Sequence, residues 1–106
     1  MRILFICNQA RHRSPTAAKL FSAKYETKYA GLYNEPSVTQ KELDWADVIA
    51  VMEDEQRIEI SKRFPRTYLT KQIVTMHISD AYAAGSPELI QALQQKADLL
   101  EPLAKL

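Results

Sequence analysis

The chain has 106 residues, 46% of them hydrophobic, with 14 basic and 13 acidic side chains. That size predicts one domain, residues 1–106, around one core. The near-balance of charge gives no support to a nucleic-acid-binding or membrane-surface protein, which would carry a strong basic excess or block.

A single cysteine excludes an internal disulfide and points to a reducing compartment. The first residues hold one arginine and a short apolar run, without the longer apolar stretch and small-residue cleavage site of a signal peptide. No segment reaches transmembrane length. The expected location is the cytoplasm.

Arg2 to Ile6 is apolar, β-branched and too short for a helix, so it predicts a buried strand. Ser14-Pro15 predicts a helix start, with Ser as N-cap and Pro at the first helical position. Ala17, Ala18, Leu20, Phe21 and Tyr25 carry its apolar face. Lys28 to Ala30 reads as a short second strand stopped at Gly31, followed by a loop from Leu32 to Val38. Thr39 caps a short helix through Trp45. Asp47 to Met52 is a third strand, apolar throughout after its first residue, as parallel strands buried on both faces are. Glu53-Asp54 leads into a charged helix through Arg63, ended by Pro65. Ile73 to Ile78 is a fourth strand, and Ser79 to Ser86 a loop. Pro87 starts the last helix, whose buried stripe is Leu89, Leu93, Ala97, Leu100 and Ala104, with Pro102 distorting its last turn.

Alternating strands and helices predict an α/β fold of three layers: a four-stranded parallel sheet with helices on both faces. In such sheets ligands bind at the carboxyl ends of the strands, near a switch in strand order. Cys7 falls at that end of the first strand, and the segment after the fourth strand ends at the same edge.

The segment Cys7-Asn8-Gln9-Ala10-Arg11-His12-Arg13-Ser14-Pro15 places a thiol, five residues, an arginine and a hydroxyl between a strand and a helix start. Wrapped around a tetrahedral oxyanion, Asn8, Gln9, Ala10, Arg11, His12 and Arg13 would form a phosphate-binding loop of inward backbone N–H groups at a helix N-terminus. The Arg13 guanidinium can fork onto two oxygens, which a lysine cannot do. The same positive field favours the thiolate of Cys7, a competent nucleophile toward phosphorus. Ser14 could hydrogen-bond that sulfur. Asp80, just past the fourth strand, is the candidate acid for the leaving group and base for the incoming water. Tyr82, two residues on, is a candidate wall for an aromatic leaving group. A lone cysteine ending an apolar strand is usually a small buried hydrophobe. Its coincidence with Arg13 and Ser14 at these offsets is what favours chemistry.

With these residues in hand, the sequence resembles the low-molecular-weight protein tyrosine phosphatases. ILFICNQARHRSPTAAKLF is similar to the family's strand, Cys-x5-Arg-Ser loop and first helix. YAG is similar to its short second-strand segment, WADVIAVMED to its third strand with a Met-acid pair, ISDAY to its general-acid loop, and PELIQALQQKADLLEPL to its closing helix. The resemblance implies Cys7 as nucleophile, Arg13 as the phosphate-binding and transition-state residue, Ser14 as thiolate partner and Asp80 as general acid. Tyr82 falls where the family has a substrate-stacking tyrosine.

The chain departs from that pattern in three places. It is shorter, mainly around Leu32 to Thr39 and before Ile73, where Tyr33 is carried as a second candidate wall. Gln9 and Ala10 stand where the family has Gly and Asn; a left-handed Ala10 would cost about 1 kcal/mol relative to glycine. Ala81 replaces the proline after the acid. Arg11 is read either as a solvated surface cation or as an anion-attracting group that favours acidic substrates and opposes phosphoarginine. His12 is expected to make a structural hydrogen bond, His77 to pack in or beside its strand, and Trp45 to pack under a helix.

The leading expectation is a cysteine-dependent phosphomonoester hydrolase acting on phosphotyrosine proteins or small aryl phosphates through a phosphocysteine, with no metal or other cofactor. The alternative is a catalytically weak phosphate- or phosphoprotein-binding module of the same fold. Arsenate reduction needs further cysteines for a disulfide relay, and a phosphocysteine carrier of sugar uptake has no need for Arg13 together with Asp80.

Overall fold

Ile3, Leu4, Phe5 and Ile6 are each fully buried, so the first strand has both faces covered. A computed structural model of the chain describes residues 1–100. Its elements in chain order are β1 (Arg2–Cys7), α1 (Arg13–Phe21), β2 (Glu26–Gly31), α2 (Gln40–Trp45), β3 (Val48–Val51), α3 (Asp54–Arg63), α4 (Pro65–Thr70), β4 (Gln72–Thr75) and α5 (Pro87–Gln95), with a 3₁₀ turn at Ala97–Leu99. The expected Ala104 stripe position and the Pro102 distortion lie outside the described residues.

The four strands are all parallel, in the order β2-β1-β3-β4. From β1 the chain first steps to β2 on one side, then crosses back to β3 on the other. The reversal of direction lies between β1 and β3, beside the carboxyl end of β1, where Cys7 pairs in register with Gly31. Alternation along β1 and β3 divides the core in two. Ile3, Phe5, Cys7, Val48, Ala50 and Met52 face α1 and α5 through Ala17, Phe21, Leu89 and Leu93. Leu4, Ile6, Ile49 and Val51 face the opposite layer through Leu43 of α2 and Ile60 of α3. The predicted three-layer α/β architecture is therefore present.

Several boundaries differ from expectation. β2 begins at Glu26, two residues early. Its polar residues Glu26, Thr27 and Lys28 carry no apolar pattern and are held by pairing with β1 at the sheet edge. Pro65 ends α3 but also opens α4, where a missing N–H at the first helical position costs nothing. β4 stops at Thr75, short of Ile78. His77, expected to pack in or beside the strand, is exposed and adopts φ 57°. Met76 and Ile78 on either side of it still donate to Val51 O and Met52 O at 2.8 and 2.9 Å. Thr39 caps α2 as expected: its Oγ1 accepts from Glu42 N at 3.2 Å, and its own N–H donates to the Glu42 carboxylate at 2.9 Å. Trp45 is half-buried on the core, with Lys28 Nζ 4.5 Å from its ring centroid. Among the described residues, no helix is long and apolar enough to cross a membrane.

At the amino end of the sheet, Asp47 accepts from Arg2 N at 2.9 Å and its own N–H donates to Arg2 O at 2.9 Å. The Arg2 N–H, more than the Arg2 charge, holds the Asp47 carboxyl below its usual range. A lowered folded pKa gives stability that is complete above the ordinary carboxylate range and is lost as pH falls through the folded value. Asp47→Asn is therefore expected to flatten the acid limb of a plot of Tm against pH, read by circular dichroism as pH falls from about 6 to below the ordinary carboxylate range.

Candidate active site

Arg13 opens α1 and is fully buried, although it carries a charge. A buried guanidinium must be paired, and the fold supplies acceptors from two other segments. Nη1 donates to the Glu53 carboxylate at the end of β3 and to Ile78 O, past β4, at 2.8 Å. Nε lies 3.4 Å from Asp80 Oδ1, an ion pair without hydrogen-bonding geometry. Nε and Nη2 are thus buried donors with no protein acceptor. A bound oxyanion is what two such donors on one planar fork would take.

Arg13 shares a cavity of about 190 Å³ with the nucleophile candidate. Cys7, Asn8, Gln9, Arg11, His12, Arg13 and Asp80 line it. Cys7 Sγ is 3.0 Å from Ser14 Oγ, and Ser14 Oγ is also 3.4 Å from Ala30 O. Ser14 was expected to cap the helix. His12 occupies that position instead, without a side-chain cap bond, because α1 begins two residues earlier, at Arg13. Ser14 is left in the first turn, with its hydroxyl turned inward to the sulfur. Among the described residues, no protein acceptor takes the N–H groups of Gln9, Ala10, Arg11 or His12. Ala10 has φ 57°, the left-handed conformation that glycine would adopt more cheaply.

Asp80 reaches the cavity from the loop after β4, with its side chain 66% exposed. The loop is tied to α1 by two bonds: Ala84 N donates to His12 Nδ1 at 3.2 Å, and Gly85 N to Thr16 Oγ1 at 3.0 Å. His12 thus makes the structural bond expected of it. These ties hold the acid's loop without a proline at position 81. Arg11 is exposed at the mouth and has no ion-pair partner among the described residues.

The two tyrosines expected as substrate walls do not line this cavity. Tyr82 is half-buried against the core beneath α1 and α5. Tyr33 is 53% exposed, with the Arg63 guanidinium 5.2 Å from its ring centroid. An aromatic two residues from the acid packs inward because apolar core surface is available there.

Comparison with solved structures gives close matches in shape over nearly the whole chain. A low-molecular-weight protein tyrosine phosphatase from T. tengcongensis superposes with a TM-score of 0.74, covering 99% of this chain and 98% of that one at 19% identity. The YwlE arginine phosphatase from Geobacillus stearothermophilus gives 0.69, covering 98% and 90% at 23% identity. The tyrosine phosphatase Wzb from Escherichia coli K30, in complex with phosphate, gives 0.67, covering 99% and 97% at 19% identity. The chain has the low-molecular-weight protein tyrosine phosphatase fold. No protein-family model and no curated protein sequence matches it.

Within this phosphatase fold, three supports of the loop escaped sequence reasoning. Glu53 was noted as half of a Met-acid pair and as the lead into a helix, and no local pattern tells that it meets Arg13, 40 residues away. Gly31 was read as a strand stop. A Cβ there would collide with the Asn34 carboxamide and lie 3.0 Å from Ala10 N, so glycine is what lets the two loops meet. Gln56 is 1% exposed and bonds Asn8 across 48 residues. Its one legible signal was a Gln three residues after the helix-capping Glu53.

Proposed function

We propose that this chain is a cysteine-dependent phosphomonoester hydrolase acting on phosphotyrosine or small aryl phosphates. The observation that carries this is a fully buried Arg13 whose Nε and Nη2 have no protein acceptor and which lines the same small cavity as Cys7. The Cys7 thiolate attacks phosphorus in line with the ester oxygen, and the P–O bond to the alcohol breaks as the S–P bond forms. Arg13 and the loop N–H groups take the three equatorial oxygens. Asp80 gives its proton to the departing oxygen, then removes one from the water that attacks the phosphocysteine. Ser14 donates to the sulfur as it leaves again as thiolate.

Arg11 selects among phosphorylated groups. Its exposed guanidinium at the mouth repels the guanidinium of phosphoarginine, so the assignment follows the tyrosine phosphatases of this fold rather than the arginine phosphatase among the similar structures.

The test is hydrolysis of p-nitrophenyl phosphate, with phosphoarginine as competitor substrate. Turnover of the aryl ester is expected to exceed that of phosphoarginine. Asp80→Asn is expected to lower kcat for the aryl ester about a hundredfold, the lower end of general-acid contributions because nitrophenolate leaves readily. Stoichiometric phosphate binding with no turnover of any aryl ester would instead favour the catalytically weak binding module. The left-handed Ala10 is the observation on that side.

A further inference from the structure

Gln56 is a buried carboxamide that joins the two halves of the site. It sits in the first turn of α3, away from the cavity lining. Its Oε1 accepts from Met52 N at 2.7 Å and from Glu53 N at 3.0 Å. Its Nε2 donates to Asn8 Oδ1 at 3.0 Å. On the first side of that link, Glu53 carries Arg13 Nη1, and Met52 O accepts from Ile78 N at 2.9 Å. Ile78 O in turn is the second acceptor of Arg13 Nη1. Both groups that orient the guanidinium therefore hang from the segment that Gln56 grips. On the other side, Asn8 is the residue after the nucleophile. Its carbonyl accepts from Leu32 N at 3.0 Å and Tyr33 N at 2.8 Å, leaving the side chain as its tie toward β3.

We infer that Gln56 is a positioning residue that sets the separation between the thiol and the guanidinium. It does this by tying Asn8 to the segment that holds Arg13. The inference rests on the phosphatase function proposed above. The loop has cause to need such a tie. Ala10 sits in a left-handed conformation that a Cβ disfavours, so the loop backbone must be held in place by its surroundings. A buried carboxamide with two acceptor bonds and one donor bond in use is stiff enough to serve. Displacing a reacting group by about 1 Å costs on the order of a hundredfold in rate, so a tie at one remove from the chemistry has a measurable effect.

The experiment compares Gln56→Met, which keeps shape and burial but loses all three bonds, with Asn8→Ala, which removes the Asn8 bond from its other end. Orthophosphate is titrated calorimetrically into each in a Cys7→Ser background, and kcat and KM for p-nitrophenyl phosphate are measured with Cys7 intact. Each change is expected to raise the phosphate Kd and to lower kcat, by roughly tenfold or more. The double variant should lose little more than either alone, because both break the same link. Thr67→Val is the stability control. Thr67 is buried and accepts from Gln40 Nε2 at 2.9 Å on α4, away from the cavity, so it should lower Tm with phosphate Kd unchanged. If Gln56→Met and Asn8→Ala behave like Thr67→Val, losing Tm but keeping Kd and kcat, Gln56 is only a helix cap and the inference falls. Should Gln56→Met fail to fold, Asn8→Ala alone decides the matter by the same readings. Failure of the proposed function has a different signature: no heat with orthophosphate in the Cys7→Ser parent and no hydrolysis by the unaltered protein.

Discussion

Cys7→Ser is expected to remove turnover of aryl phosphates by at least about a thousandfold while leaving orthophosphate binding in place. The two halves of that result have different physical origins. A serine hydroxyl at this point has no base poised to take its proton. The oxygen beside it is Ser14 Oγ, which sits 3.0 Å from Cys7 Sγ and is itself a neutral hydroxyl. An alkoxide is therefore not formed at neutral pH, and an alcohol is a poor leaving group in the second step, so any phosphoserine that forms would persist. In the proposed mechanism anion binding depends instead on the unpartnered Arg13 Nε and Nη2 and on the loop N–H groups, none of which the substitution touches. Steady-state hydrolysis and phosphate calorimetry on the same preparation check both halves. Hydrolysis that survives Cys7→Ser would eliminate the covalent mechanism.

The second large effect falls on Arg13. Arg13→Lys keeps the charge but is expected to cost about a thousandfold in kcat, the upper end of what one oxyanion donor group contributes. Three features of the site make this more than a charge argument. The guanidinium meets Glu53 and Ile78 O through Nη1 while Nε and Nη2 remain for the substrate, a division of labour that needs a planar fork with five donors. An ammonium has three donors at one point, and the pairing with Glu53 would draw them away from the phosphoryl oxygens. The transition state spreads charge over three equatorial oxygens, so loss of a forked contact acts on kcat more than on KM. Kinetics over a range of aryl phosphate concentrations separate the two. A loss confined to KM would mean that Arg13 binds the ground state only.

The strands that form the site's floor were legible because burial on both faces leaves a chemical trace. Ile3 to Ile6 and Val48 to Met52 have no polar residue, and no exposed helix or loop could tolerate that. The cysteine, the arginine and the serine were legible because an anion loop needs them within one short segment, where spacing is visible. Asp80 could be placed because a parallel sheet brings the carboxyl ends of all its strands to one edge. Partners without a local pattern were not legible. Glu53 and Gln56 reach Arg13 and Asn8 only after β3 has been laid beside β1. The tyrosines could not be placed from sequence because aromatic character is equally at home in a wall and in a core. Helix α4 escaped because proline both stops one helix and opens the next, and the polar β2 because an edge strand is held by its neighbour's backbone rather than by its own side chains.

By itself, the order of residues determined the α/β alternation and put a thiol, a guanidinium and a hydroxyl in one eight-residue segment, because both depend on local periodicity and spacing. Only the packed tertiary structure decided which donors of Arg13 are used by the protein and which are left for a ligand. It also decided that Ser14 faces the sulfur rather than the helix end, and that no tyrosine walls the cavity. Those outcomes depend on contacts between segments tens of residues apart, and such contacts come into being only when the sheet assembles.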